Sequence, residues 1–125
     1  EIGVRLVGSE MCIRDRWDEW GDPLHNADVY RYMKEYTPYE NAPADANDAR
    51  VAVFPKIFIT TSMNDTRVLY VEPMKWLARL QRAGVDAVAK IEVEAGHGGT
   101  SGRYKQWEEI SYENAWCLGV MGITS

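Results

Sequence analysis

Two polar side chains, Asp65 and His97, each follow an apolar segment with the composition of a buried strand. Asp65 comes after the segment 53–61, and His97 comes after the alternating segment 87–93. Because the carboxyl ends of parallel strands lie at the same edge of a sheet, we expect the two side chains to lie close together. A carboxylate that holds an imidazole, which in turn takes a proton from a nucleophile, is the arrangement of a hydrolytic triad. The sequence therefore predicts the carboxylate and the base of such a site, but shows no nucleophile.

Both residues also have simpler interpretations. Asp65 could cap a turn, and His97 could be a surface loop residue or a metal ligand. Glycines on both sides of His97 favour a functional loop, since they let another group approach the ring closely. A metal site is poorly supported because the other histidine, His25, lies in an early turn.

The rest of the sequence predicts alternating helices and strands. The predicted elements are a helix from Asn26 or Asp28 to before Pro38, a surface insertion at 42–50, a strand at 53–61, a helix from Glu72 to Gly84, a strand at 87–93 and a helix at about 104–121. The order helix, strand, helix, strand, helix indicates an α/β fold with a parallel pair of strands. The last helix carries a run of residues on one face, namely Trp107, Ile110, Asn114, Cys117, Leu118 and Met121.

Length and composition limit the possible functions. The chain has 125 residues, 46% of them hydrophobic, which is enough for one domain with a core. A formal net charge of −5 argues against nucleic acid or an anionic membrane as the main partner, and no apolar run approaches transmembrane length. Two cysteines are too few for a disulfide framework. Five Trp and seven Tyr exceed the needs of a minimal core, so we expect some to pack against a partner or another part of a longer chain.

The first sixteen residues have a different character from the rest. The portion VGSEMCIRDR resembles a translated sequencing adapter, so we predict that residues 1–16 are a foreign leader and that the fragment proper comprises 17–125. The alternative is a genuine strand at 4–7 with a polar tail.

Six blocks of sequence, in colinear order, resemble the C-terminal end of the catalytic domain of the prolyl oligopeptidase family, most closely its oligopeptidase B members. The blocks are WGDPL (20–24), YMK (32–34), YTPYEN (36–41), TTSMNDTRV (60–68), EPMKW (72–76) and GHGGTSGR (96–103). This resemblance implies an incomplete α/β-hydrolase fold.

The resemblance also assigns roles to individual residues. It implies that Asp65 is the triad carboxylate, that His97 is the base, and that Arg67 holds a carbonyl of the substrate backbone. Arg67 could instead form a salt bridge to a neighbouring acid. Asp18 and Glu19 fall in the family's acidic loop, which recognises basic side chains, although either could be a solvated turn residue.

The chain departs from the family pattern in lacking the Gly-x-Ser-x-Gly nucleophile motif, which belongs upstream of the carboxylate, and the family's N-terminal propeller. We therefore expect a serine peptidase that cleaves short peptides after Arg or Lys, whose isolated C-terminal piece is inactive. The resemblance implies no cofactor or metal and, with the cysteine usage, a cytoplasmic location. The alternatives are another α/β-hydrolase peptidase or esterase, or a non-catalytic binding protein of the same fold.

Overall fold

The computed structural model describes residue 18, residues 21–94, Gly96 and residues 102–123, with only the main chain of Arg103. Its elements are α1 (Ala27–Tyr36), a 3-10 helix (Ala49–Val53), β1 (Ile57–Ser62), α2 (Val71–Arg82), β2 (Ala87–Glu92) and α3 (Arg103–Val120). The two strands pair in parallel. The predicted α/β class and the predicted order of helices and strands are confirmed. None of the helices in the described part of the chain combines the length and apolarity needed to cross a bilayer.

Polar side chains set both ends of α1. The side chain of Asn26 accepts hydrogen bonds from the main-chain N–H groups of Asp28 and Val29, at 2.9 and 3.3 Å. At the other end the hydroxyl of Thr37 donates to the carbonyl of Met33 at 3.1 Å. These bonds satisfy main-chain groups that a helix terminus leaves without partners, which explains the bounds of the helix.

The first strand begins later than predicted. Instead of continuing from residue 53, β1 starts at Ile57, because the preceding segment forms the 3-10 helix. The carboxylate of Asp48 accepts a hydrogen bond from the N–H of Arg50 at 3.0 Å and so favours a turn there. Pro55 follows, and proline has no main-chain N–H to donate to a strand ladder.

The segment 42–50 is not entirely a surface insertion, which corrects the prediction. Ala42 is only 2% exposed and belongs to the hydrophobic core, and Pro43 is fully buried beside it in the sequence. Composition alone suggested exposure, because most of the polar residues that follow are exposed, whereas these two apolar residues are buried.

The core lies between α2 and one face of the sheet. Its buried members are Ala42, Ile59, Leu77, Leu80, Val85 and Ala87. The turn after α2 closes this core, since the N–H of Val85 bonds the carbonyl of Leu80 at 3.0 Å and the N–H of Gly84 bonds Gln81 at 3.0 Å. Gly84 has a φ of 83°, a left-handed conformation that glycine adopts without strain. This turn therefore ends α2 and leads the chain into β2.

The strand register brings the two following loops to one edge of the sheet. The pairing runs from Ile57 with Ala87 to Ser62 with Glu92. The N–H of Met63 then donates to the carbonyl of Glu92 at 2.8 Å. Both strands end here, so the loop with Asp65 and the loop that leads to Gly96 start side by side.

The last helix, α3, packs on the opposite face of the sheet from α2. Its contact is aromatic: the ring of Phe58 stacks on Trp116 at 5.2 Å and lies 5.8 Å from the ring of Tyr112. The predicted face with Trp107 and Met121 does not meet the sheet, since these side chains are 56% and 63% exposed. The helix thus has apolar residues on two sides, and only one of them is covered within the described part of the chain.

Candidate functional site

Asp65 lies in the turn that follows β1, with its side chain half-buried. Its carboxylate accepts hydrogen bonds from the N–H groups of Arg67 at 2.8 Å and Val68 at 2.9 Å. A carboxylate that caps a turn in this way is held in one orientation and is stabilised in its charged form. The alternative of a turn-capping role is therefore confirmed for Asp65, and the capped carboxylate can still hold an imidazole.

The loop after β2 approaches this turn at Asn64 and Gly96. The side-chain amide of Asn64 donates to the carbonyl of Val93 at 2.7 Å. A Cβ atom placed on Gly96 would lie 3.8 Å from the main-chain oxygen of Asn64, so the two loops are neighbours. His97, the next residue, lies outside the described residues. The structure thus brings the residue before the predicted base next to the turn of the predicted carboxylate.

A cavity of about 570 Å³ opens at this point and is lined by both Asp65 and Gly96. It follows β1 from Phe58 to Ser62, including residues that point to both faces of the sheet. Lys90 and Glu92 of β2 line it as well, so the cavity reaches across both strands rather than lying along one edge of β1 alone. The indole of Trp76 forms part of its wall and is held by a hydrogen bond to the carbonyl of Pro38 at 3.1 Å.

Acidic residues that the sequence analysis did not single out also line the cavity: Glu92, Glu109 and Glu113. Glu92 could have been found by the same strand-end argument as Asp65, because it ends β2. No comparable signal marks Glu109 and Glu113, since both faces of α3 carry apolar residues.

A lysine lies among these acids. The ammonium of Lys90 is 3.9 Å from the carboxylate of Glu109 and 5.5 Å from the ring centre of Tyr112. Nearby, a hydrogen bond from Lys105 to Glu94, at 3.1 Å, raises the pKa of Lys105 above its ordinary value. Both contacts join β2 or its following loop to α3.

The remaining predicted residues are not brought to this cavity by the described structure. Arg67 is exposed, and its guanidinium makes no ion pair within the described part of the chain. Asp18 is exposed and helical, while Glu19 lies outside the described residues. The roles of all three stay predictions.

The second histidine, His25, forms a separate pair with an acid. Its Nδ1 atom lies 2.7 Å from a carboxylate oxygen of Asp22. Partial burial raises the pKa of Asp22, but hydrogen bonds from the ring and main chain of His25 and the main chain of Leu24 outweigh that effect and lower it. Among residues 18, 21–94, 96 and 102–123, no group of acids, histidines or cysteines has the arrangement of a metal site.

Comparison with known proteins identifies the family. The sequence profile described as "Prolyl oligopeptidase family" matches residues 5–124. The chain belongs to the prolyl oligopeptidase family. Its fold is accordingly part of an α/β-hydrolase fold, as the parallel strands with flanking helices show.

Relatives within the prolyl oligopeptidase family carry several different names. "Protease 2" of Moraxella lacunata is 44% identical over 110 residues, 86% of this chain and 15% of that protein. "Dipeptidyl aminopeptidase BI" of Pseudoxanthomonas mexicana is 36% identical over 114 residues, 89% of this chain and 15% of that protein. "Prolyl endopeptidase" of Dictyostelium discoideum is 28% identical over 91 residues, 69% of this chain and 11% of that protein. The chain thus spans about a seventh of the length of the first two relatives.

Proposed function

We propose that the chain is the C-terminal part of the catalytic domain of a serine oligopeptidase that cleaves short peptides after Arg or Lys. Family membership supports peptidase chemistry. The observation that carries the proposal is the shared cavity, which Asp65 lines from the turn after β1 and Gly96 lines from the loop after β2. The base, His97, directly follows Gly96 in the sequence.

In this proposal the chain supplies two of the three members of a catalytic triad, the base and the carboxylate. His97 takes the proton from a serine supplied upstream and later gives it to the leaving amine. Asp65 selects the tautomer of the imidazole and stabilises its protonated form. Arg67 binds a substrate carbonyl, and its exposed guanidinium is available for that contact. The isolated chain is inactive, because a nucleophile and its oxyanion-hole donors come from the rest of the catalytic domain.

The preference for basic residues rests on Asp18 and Glu19 and on the chemistry of carboxylates, which bind guanidinium and ammonium groups through charge-assisted hydrogen bonds. The proposal also includes an N-terminal propeller, the remainder of the catalytic domain and a short basic peptide as partners. A cytoplasmic location belongs to it as well, because two cysteines in the sequence fit a reducing compartment. The foreign nature of residues 1–16 stays a prediction.

A chimera tests the proposal. Residues 17–123 of this chain, which include Asp18 and Glu19, replace the matching segment of the Moraxella relative named Protease 2, and hydrolysis of arginyl, lysyl, alanyl and dipeptidyl amides is compared. We expect preferential cleavage after Arg and Lys. In the chimera, Asp65→Asn and His97→Ala should each lower kcat by roughly a thousandfold or more, as in other triads. Asp45→Asn, in an exposed loop, is the matched control.

Each other result points to a different function. An active chimera that prefers dipeptidyl or apolar substrates would replace the basic specificity by that of another peptidase. An inactive chimera that still folds and binds peptide would favour a non-catalytic binding protein. Full activity in the His97→Ala chimera would overturn the triad assignment.

A further inference from the structure

The hydrogen bonds of the strand ladder end before the site begins. The last of these main-chain bonds joins the N–H of Met63 to the carbonyl of Glu92. Both Asp65 and Gly96 lie beyond this bond: Asp65 is in the turn after β1, and Gly96 forms a single β-bridge outside the ladder of β1 and β2. The ladder brings the two loops to one edge of the sheet. It does not by itself fix the distance between side chains that lie further along those loops.

Asn64 contacts both loops at that point. Its main-chain N–H bonds the hydroxyl oxygen of Ser62 at 3.3 Å, which holds it to the end of its own strand. Its side-chain amide crosses to the carbonyl of Val93 at 2.7 Å. Its main-chain oxygen faces Gly96 at van der Waals distance from where a Cβ would be. The residue next to Asp65 is thus joined to the loop that continues to His97.

We propose that Asn64 is a positioning residue that holds the loop leading to His97 against the turn of Asp65 through its amide bond to Val93. This inference rests on the proposed function, since it assumes that the two residues pair. The physical reason is that a hydrogen bond between a carboxylate and an imidazole weakens steeply once the distance or angle departs from its optimum. A hydrogen bond from the residue directly before the carboxylate limits the positions that the two loops can adopt relative to each other.

Other bonds of the loop after β2 do not hold it against the turn of Asp65. The carboxylate of Glu92 accepts from the N–H groups of Val93 at 3.0 Å and Glu94 at 3.1 Å, which shapes the loop internally. The ion pair of Glu94 with Lys105 joins the loop to α3. Neither contact reaches the turn of Asp65, whereas the amide of Asn64 does.

The test follows the pKa of each histidine in the 125-residue chain by NMR as pH is changed. A paired carboxylate raises the pKa of an imidazole, so Asp65→Asn should lower the pKa of His97 by about 1 unit or more. Asn64→Ala should lower it by ~0.5 units, because the carboxylate remains but is less well placed. Asn64→Gln, which keeps an amide on a longer stem, should recover part of that shift.

Two controls are available in the same chain. His25 pairs with Asp22 in a different part of the fold, so its ring signals should be the same in every variant and serve as the internal reference. Asn41→Ala removes an asparagine amide that also bonds main-chain carbonyls, those of Lys34 at 2.8 Å and Thr37 at 2.9 Å. It should leave the pKa of His97 unchanged.

The outcomes separate this inference from the proposed function. If Asp65→Asn lowers the pKa of His97 but Asn64→Ala changes it no more than Asn41→Ala does, Asn64 only stabilises the loop and the inference is wrong. If Asp65→Asn leaves that pKa unchanged, the Asp65 and His97 pair itself is refuted, and the proposed function fails first.

Discussion

Asp65 has a structural task that is separate from its proposed chemistry. Its carboxylate caps the turn after β1 through the N–H groups of Arg67 and Val68. An asparagine side chain can accept the same hydrogen bonds, but it has no charge to stabilise an imidazolium. Substitutions at this position can therefore separate the two tasks.

We predict that Asp65→Ala lowers the free energy of unfolding by about 1 kcal/mol, because two main-chain N–H groups lose their acceptor. Asp65→Asn should cost less than ~0.5 kcal/mol, since the cap is kept. Urea denaturation of the isolated chain measures both values. Equal losses in the two variants would show that the charge of Asp65, rather than the cap, stabilises the turn.

At the scale of single elements, the 3-10 helix shows how one side chain can override a strand pattern. Asp48 accepts hydrogen bonds from the N–H groups of Ala44 and Arg50, and its carboxylate lies 2.6 Å from the Arg50 guanidinium. The side-chain hydrogen bond from Arg50, followed by these main-chain bonds, holds the pKa of Asp48 well below its ordinary value of 3.8. The pKa of Arg50 is raised in return.

This pair predicts a pH dependence of stability. Because the folded pKa of Asp48 is lowered, its stabilising contribution is present above the unfolded pKa and is lost as pH falls towards the folded value. Between about pH 5 and pH 2, the free energy of unfolding should fall more steeply in the original chain than in Asp48→Asn. Urea denaturation at several pH values gives the slopes, and Arg50→Gln should flatten the same range. An equally steep decline in Asp48→Asn would contradict the prediction.

The two faces of α3 make a second prediction at this scale. Trp116 stacks on Phe58 of the sheet, whereas Trp107 is 56% exposed on the other side of the helix. Trp116→Ala should cost roughly 2 kcal/mol of stability, because its ring is half-buried against the sheet. Trp107→Ala, the matched control, should change stability by less than ~0.5 kcal/mol. Similar costs for both would mean that α3 packs by its other face.

The comparison of these elements shows what a single sequence can predict. Hydrophobic periodicity was sufficient for the order of elements and for parallel pairing, because both depend on local pattern and on short connections. It was not sufficient for the start of β1, where Asp48 and Pro55 act locally against the strand. Nor did it identify the packed face of α3, since apolar residues on two sides give no preferred direction.

The same distinction holds for the site. The strand-end argument predicted that Asp65 and His97 lie close together. Asp65 and Gly96, the residue before His97, line one cavity, whereas the pairing of Asp65 with His97 stays a prediction. The strand-end pattern could not identify Asn64, whose contact is with Val93, far along the chain and visible only after folding. A polar residue whose hydrogen bond reaches a carbonyl far along the chain produces no recognisable pattern in the sequence around it.

At the scale of the whole molecule, the main feature is the edge of β1 that has no neighbouring strand among the described residues, here called the open edge. The N–H of Ile57 bonds the carbonyl of Asp86 at 3.0 Å on the side of β2. Because main-chain groups alternate in direction along a strand, Thr61 faces β2 in the same way, whereas Thr60 faces the open edge. A strand edge without a partner in the described part of the chain favours association with other strands, and the exposed apolar face of α3 adds to this tendency.

We therefore predict that the isolated chain self-associates as its concentration rises. Thr60→Pro should reduce this association while preserving the far-ultraviolet circular dichroism, because proline removes an N–H that points away from β2, the paired strand of the described sheet. Thr61→Pro should instead unfold the strand pair, since its N–H belongs to the ladder. Sedimentation velocity measures the association. Unchanged association in a folded Thr60→Pro variant would exclude the open edge as its cause.

The structural task of Asp65, beside its proposed chemistry, affects how relatives of this protein should be interpreted. Selection for folding alone would preserve a hydrogen-bond acceptor at position 65, because losing the cap weakens the turn whether or not any peptide is cleaved. A descendant that gave up catalysis would thus tend to keep Asp or acquire Asn there. Loss of the histidine or of the serine, rather than loss of this aspartate, would be the earlier mark of an enzyme turning into a binding protein.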